Sequence, residues 1–360
     1  MSRPLNIIKP SVRELRPYSL RAERAEVKLN QNENPWNTPP EIREETVRRM
    51  SSQTWSRYPA FVPEQLHKTL ARFAGWRADG VIAGNGSNEL IQALLMVTVT
   101  ANTRVLLCEP TFALYRQIVT ILGGEVITVP LTSQLRYDTE AIRSRIESTS
   151  PQVVIICSPN NPTGCLFRQP DLASLLLTFD GLVVVDEAYQ EFSGHTSLPL
   201  LPQHSNLVVL RTFSKALALA GLRVGYLLAA PELVREVSKA VLPYNLNIFS
   251  QTAAQVAVEM FESKLRPLIR VICEERERLY SGLKTIPGFE PISSRANFML
   301  VRSFMKPSEI FTKLLARGIL VRDVSRYPML NNYFRVSVGM PVENDILLNA
   351  LREISQECFE

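Results

Sequence analysis

Lys215 lies in "TFSKALALAGLRVGY", after one apolar strand-like run and before another. Nine of the 40 basic residues are lysines, so a lysine in this setting asks for a reason. Burying an ammonium is costly unless its charge is paired or neutralised. Two explanations are open: a stem that snorkels its charge to water, or an amine whose lowered pKa serves nucleophilic chemistry. Other segments supply groups such an amine could work with. "AGNGSNEL", residues 83–90, is expected to be a glycine loop that opens a helix with Ser87 and Asn88. Amides at a helix start suit an anion such as phosphate, although an ordinary helix cap gives the same pattern. "CSPNNPTG" sets Asn161 between prolines, as turn chemistry alone would, and would also hold an amide rigidly. "VVVDEAY" carries Asp186 and Tyr189 directly off an apolar run, where an Asp needs a cation or a proton donor. Ser214 and Arg223 flank Lys215, and the arginine is a second cation suited to a phosphate.

The elements that must position these groups follow from patterning. "TRVLLCEP", "GEVITVPL", "PQVVIICSP", "LVVVDEAY", "NLVVLRTFS" and "LRVGYLLAA" are short, mostly β-branched and continuously apolar, so they are predicted strands. Helix-length stretches such as "NELIQALLMVTV", "FALYRQIVTILG" and "DLASLLLTF" separate several of them. Apolar strands alternating with helices predict an α/β fold, a mostly parallel sheet flanked by helices. Ligands of such sheets bind beyond the carboxyl ends of the strands, where all the polar segments above fall. After about residue 245, amphipathic helices lead into weaker strands, "ANFMLVR" and "YFRVSVGM", which predicts a smaller α+β domain. The expected division is an N-terminal arm over 1–30 joining the small domain, a large cofactor-binding domain over 31–245, and the small domain over 246–360.

Placed at one sheet edge, the groups form a phosphate cradle, an amide, a carboxylate wanting a positive partner, a buried lysine and an arginine. Pyridoxal 5'-phosphate asks for this set: a lysine for a Schiff base, an acid at the ring nitrogen, donors at the phenolic oxygen, and a helix start with an arginine at the phosphate. On that basis Lys215 is an imine-forming amine that also moves a proton at the substrate's Cα. The Asn161–Pro162 bond is expected to be cis, because the loop must turn sharply while aiming Asn161.

Composition narrows the remaining classes. A 360-residue chain with 46% hydrophobic residues can bury a large core. A net charge of +5, with acidic residues interspersed among the basic ones, lacks the concentrated stripe that nucleic acid requires. Five scattered cysteines without a CxxC pair are expected to be thiols of a reducing cytoplasm, and three histidines without ligand spacing argue against a metal. No apolar run is long enough for a membrane span, and "MSRPLNIIKPSVREL" lacks a signal core. A nicotinamide dehydrogenase is disfavoured by the missing GxGxxG fingerprint.

In order and spacing, "SPNNPTG", "VVDEAY" and "TFSKALALAGLRVGY" resemble the fold-type I pyridoxal-phosphate aminotransferases over nearly the whole chain. Within that group "LNQNENPW", "RYP", "GNGSNELI", "LPYNLN" and "GILVRDVSRYPMLNNYFRVSVGMPVEND" are most similar to the histidinol-phosphate aminotransferase family. The resemblance implies Lys215 as the Schiff-base lysine, Asp186 at the pyridine nitrogen, and Asn161 with Tyr189 at the phenolic oxygen. It implies Ser87, Asn88, Ser214 and Arg223 at the cofactor phosphate, with Tyr58 reaching in from the neighbouring subunit of a homodimer. Phe112 stands where the family often has a tyrosine stacked on the ring, and Asn88 where a carboxylate is common. Arg335 matches the substrate-anion arginine and Arg322 its companion, while Tyr18 and Tyr244 fall at the substrate phosphate. The implied reaction is transamination of L-histidinol phosphate with 2-oxoglutarate, through a 1,3-proton shift, in histidine biosynthesis. An aromatic amino-acid aminotransferase and a threonine-phosphate decarboxylase are the alternatives. A ligand-sensing module of a transcription regulator would need a helix-turn-helix ahead of the domain, for which residues 1–20 leave no room.

Overall fold

The structure is a computed structural model that describes residues 6–15, 17 and 23–359. Tyr18 therefore lies outside the described residues. Its strands are β1 (Val27–Lys28), β2 (Val81–Asn85), β3 (Arg104–Glu109), β4 (Glu125–Pro130), β5 (Val153–Cys157), β6 (Leu182–Asp186) and β7 (Leu207–Thr212), followed by β8 (Val224–Ala229). The second half adds β9 (Phe289–Pro291), β10 (Phe298–Ser303), β11 (Ile319–Leu320), β12 (Arg322–Asp323) and β13 (Tyr333–Ser337).

The large sheet runs β2-β8-β7-β6-β5-β3-β4. From β4 to β7 all pairings are parallel, and β8 runs antiparallel to both of its neighbours. The protein is thus α/β with a mostly parallel central sheet, as patterning predicts. The strands are buried on both faces because their side chains alternate into two cores. Val154, Ile156, Val183, Val185 and Val209 enter one, and Val153, Ile155, Val184, Val208 and Leu210 the other. At about 1.5–3 kcal/mol for each fully buried aliphatic side chain, these two layers fix the sheet. One expectation needs correcting. Residues 83–85 are not loop but the end of β2, paired with Tyr226, Gly225 and Val224 of β8. Gly84 and Asn85 hide the strand from its sequence, because both residue types are depleted in sheets.

A separate antiparallel sheet, β12-β13-β10-β9, forms the second layer system. Leu279, Ile310 and Leu351 of the helices Arg266–Lys284, Pro307–Leu315 and Pro341–Phe359 share its core. β1 pairs in parallel with β11, tying the segment after residue 26 to this layer. The helix Ile248–Glu259 buries Ala253, Ala254, Val256 and Ala257 in a core shared with the large sheet. The Asn161–Pro162 bond is cis, as are Glu109–Pro110 and Ser158–Pro159. Among the described residues no helix is long and apolar enough to cross a membrane.

Candidate active site

A cavity of about 220 Å³ opens at the carboxyl ends of β5, β6 and β7, closed on one side by β12 and β13. Lys215, three residues beyond β7, enters it and donates from Nζ to the Gln31 carbonyl at 2.9 Å. Burial, reinforced by the Arg335 and Arg223 charges against the opposing pull of Glu33, brings its pKa down to about 8. The snorkelling explanation fails, since this amine ends in the pocket.

Asp186, the last residue of β6, forms the floor and is 3% exposed. Its Oδ2 accepts from the Tyr115 hydroxyl at 2.6 Å and its Oδ1 from the Ala188 amide at 3.0 Å. Burial pushes this carboxyl up, and the Tyr115 bond is the largest opposing influence. Phe112 lines the same space with its ring edge-to-face on Tyr115, centroids 5.5 Å apart. The Tyr189 hydroxyl accepts from Asn32 Nδ2 at 3.0 Å, which leaves its proton to donate into the pocket. The Asn161 amide oxygen takes an Arg335 N–H at 2.6 Å, so its NH2 group is the end with spare capacity.

The anion cradle is built by close backbone approach. Gly86 ends the β2 turn at φ +76°, a conformation that disfavours any side chain. The Arg223 guanidinium occupies the space a Gly86 Cβ would need. A Cβ on Gly225 would likewise strike the Ser87 amide at 2.3 Å, so β8 and the loop pack flush. The helix Ser87–Thr98 starts without a side-chain cap, which leaves its first-turn amides suited to an anion. Arg223 Nη1 donates to Ser214 Oγ at 3.1 Å, setting cation and hydroxyl beside that helix start. Asn88 also lines the cavity.

From the small sheet come Arg322 and Arg335, directly opposite each other across β12 and β13. Like charges facing across a strand pair repel, which favours an anion between them. Arg335 is further fixed by the Asn30 carbonyl at 2.8 Å and by the Phe298 ring, 5.2 Å from its guanidinium carbon.

The stretch Asn30–Asn32 and Tyr115 were not singled out from sequence as site residues, yet both shape the pocket. Asn32 is 1% exposed at φ 54°, and its amide donates to Ser337 Oγ at 2.8 Å. The available signal was three polar amides in a row, "NQN", between Leu29 and Pro35. Two predicted residues stand outside the pocket of their own chain. Tyr58 is 81% exposed and stacks on Tyr244, centroids 4.5 Å apart, with Phe61 edge-on to Tyr244.

The donor set fits pyridoxal phosphate on the chain's own terms. A buried acid held only by neutral donors suits a pyridinium, the Gly86–Ser87 cradle with Arg223 suits a phosphate, and a desolvated amine lies between them. Residues 24–351 match the aminotransferase class I and II family, and the chain belongs to that family, making it a pyridoxal-phosphate-dependent aminotransferase. It is 37% identical to the histidinol-phosphate aminotransferase of Chlorobium phaeovibrioides, over 98% of each chain. The solved histidinol-phosphate aminotransferase from Sinorhizobium meliloti, in complex with pyridoxal-5'-phosphate, has the same fold, with a TM-score of 0.87 at 24% identity over 97% of this chain and 98% of that one. So does L-threonine-O-3-phosphate decarboxylase from Porphyromonas gingivalis, at 0.81 and 21% over 92% and 99%.

Proposed function

We propose that the protein transfers the amino group between L-histidinol phosphate and 2-oxoglutarate. The observation that carries this is the opposed pair Arg322 and Arg335 at the cavity wall, in a chain 37% identical to a histidinol-phosphate aminotransferase. Forked guanidinium donors pair with phosphate and carboxylate alike. One cationic wall therefore receives the phosphate of one substrate and the distal carboxylate of the other.

Ser87, Asn88, Ser214 and Arg223 hold the cofactor phosphate, Asn161 and Tyr189 the phenolic oxygen, Asp186 the ring nitrogen, and Phe112 a ring face. Bound there, pyridoxal phosphate supplies an electron sink for the charge left when Cα loses its proton. Lys215 takes that proton and returns it one position away, which its lowered pKa makes possible near neutral pH. Asp186, kept anionic, holds the ring nitrogen protonated, and the Arg335–Asn161 bond couples substrate anion to cofactor.

The proposal includes a homodimer with shared sites. Tyr58, Trp55 and Phe61 are exposed apolar rings of the kind favoured in interface cores, and Tyr58 lies outside its own pocket. In a two-fold pair each Tyr58 reaches the partner's cofactor phosphate. Tyr244, together with Tyr18 outside the described residues, is assigned to the substrate phosphate. The separate seven- and four-stranded sheets support the division at about residues 30 and 245, with the helix Ile248–Glu259 packing back on the larger core.

The test is an assay of purified protein and 2-oxoglutarate with histidinol phosphate, phenylalanine or phosphothreonine, following glutamate and carbon dioxide separately. Glutamate from histidinol phosphate, at the highest kcat/KM and without carbon dioxide, is expected. Preference for phenylalanine, or carbon dioxide from phosphothreonine, contradicts the assignment.

A further inference from the structure

We propose that Tyr115 is a positioning residue for Asp186, its hydroxyl clamping the carboxylate in orientation and in its anionic form at the cofactor's ring nitrogen. This rests on the assignment of Asp186 to that nitrogen.

Tyr115 opens the helix Leu114–Leu122 and is fully buried. Its ring packs among Leu107, Ile118, Val119 and Ile155, a role phenylalanine would fill equally well. The hydroxyl is what phenylalanine lacks; it donates to Asp186 Oδ2 at 2.6 Å, with the Cys157 thiol also beside it. That length is typical of a donor bound to a charged oxygen. Phe112 meets the Tyr115 ring at 85°, so a ring on the pocket wall steadies the ring behind the floor.

Asp186 needs such a donor because nothing cationic in its own chain contacts it among the described residues. The titratable groups around it are Tyr115 from the helix, Cys157 paired with it on β5, Glu187 and Tyr189 from its own strand end, and Lys215 after β7. Burial favours the neutral acid, which could not keep a pyridine protonated, and the Glu187 charge acts in the same direction. Donors on both oxygens, Tyr115 and the Ala188 amide, oppose it. A hydrogen bond to a charged group in such a site is worth about a tenfold change in binding or more.

The experiment is a double-mutant cycle on pyridoxal phosphate affinity with the full-length protein, using Tyr115→Phe and Asp186→Asn singly and together. Tyr115→Phe alone is expected to weaken binding by about tenfold or more. In the Asp186→Asn background the same change is expected to cost less than about twofold. Equal losses in both backgrounds would make Tyr115 a packing residue and overturn the proposal, as would no loss in either. A second readout needs no cofactor: the Asp186 carboxyl, followed by 13C NMR in the apo-protein, titrates at higher pH in Tyr115→Phe. An unmoved titration overturns the clamp. If Tyr115→Phe does not fold, 3-fluorotyrosine at position 115, a stronger donor of the same shape, shifts that titration downward, and no shift overturns the proposal. Wild-type protein that binds no pyridoxal phosphate would refute the cofactor assignment, while the apo titration still decides the clamp.

Discussion

Two buried carboxylates one residue apart at the end of β6 are satisfied in opposite ways. Glu187 faces away from the cavity and meets Arg211 of β7 at 2.9 Å, with the Thr196 hydroxyl at 3.0 Å and the Ser197 amide as further donors. Both side chains of that ion pair are at most 6% exposed. Asp186 faces the cavity and receives only neutral donors, Tyr115 and the Ala188 amide. The buried guanidinium of Arg211 serves Glu187, while no cation contacts Asp186 among the described residues. A buried ion pair completed within the chain holds strands together. A buried carboxylate without a cation is set up to take one from a ligand, and in the function proposed above that cation is the pyridinium of the cofactor.

The contrast can be broken by substitution. The largest effect belongs to Lys215→Ala, which should retain cofactor through the phosphate contacts yet lose transamination by several orders of magnitude, measured as single-turnover rate. Next, Asp186→Asn should lower kcat by about a hundredfold or more with thermal stability nearly unchanged. Glu187→Gln and Arg211→Met should do the reverse. Each breaks a buried pair and should cost about 3–5 kcal/mol in urea unfolding of the apo-protein, with the pocket chemistry retained in what remains folded. If Glu187→Gln leaves stability intact and abolishes turnover, the two faces do not divide as described.

A smaller effect sharpens the comparison through pH. Lys215 titrates at about 8 in the folded apo-protein, below its ordinary 10.5, so the folded state binds fewer protons between those values. The penalty for its charge is full below pH 8 and fades as pH rises toward 10.5. Lys215→Met should therefore stabilise the apo-protein at pH 7 by up to about 3 kcal/mol, with the gain shrinking across that window. A gain independent of pH would point to packing instead. Smallest is a complementation effect: inactive Lys215→Ala chains mixed with impaired Tyr58→Ala chains should recover up to about half of native activity per mixed dimer, since one site in it is intact. With subunit exchange confirmed, no recovery would contradict the shared site.

Much of the pocket is legible in sequence because charges in apolar runs are costly and therefore conspicuous. Lys215, Asp186 and Arg223 announce themselves that way, Arg335 enters only through the family resemblance, and all four gather in one cavity. The parallel strands are equally plain, since burial on both faces leaves continuous apolar runs. What escaped was polarity whose burial has no local signature. Tyr115 looks like one more ring on an amphipathic helix, and Asn30 and Asn32 look like loop amides until the chain brings β13 against them. β2 was hidden by Gly84 and Asn85, residue types that sheets disfavour. Tyr58 illustrates the converse: its sequence neighbourhood suggested an interface, and in one chain it remains exposed at the surface.

The central claim is that Lys215 is the amine that binds pyridoxal phosphate. Borohydride reduction of the resting holoenzyme, followed by peptide mapping, fixes the cofactor covalently wherever it is attached. A single phosphopyridoxyl label on the peptide containing Lys215 is expected. A label on Lys239, or on no lysine at all, would contradict it.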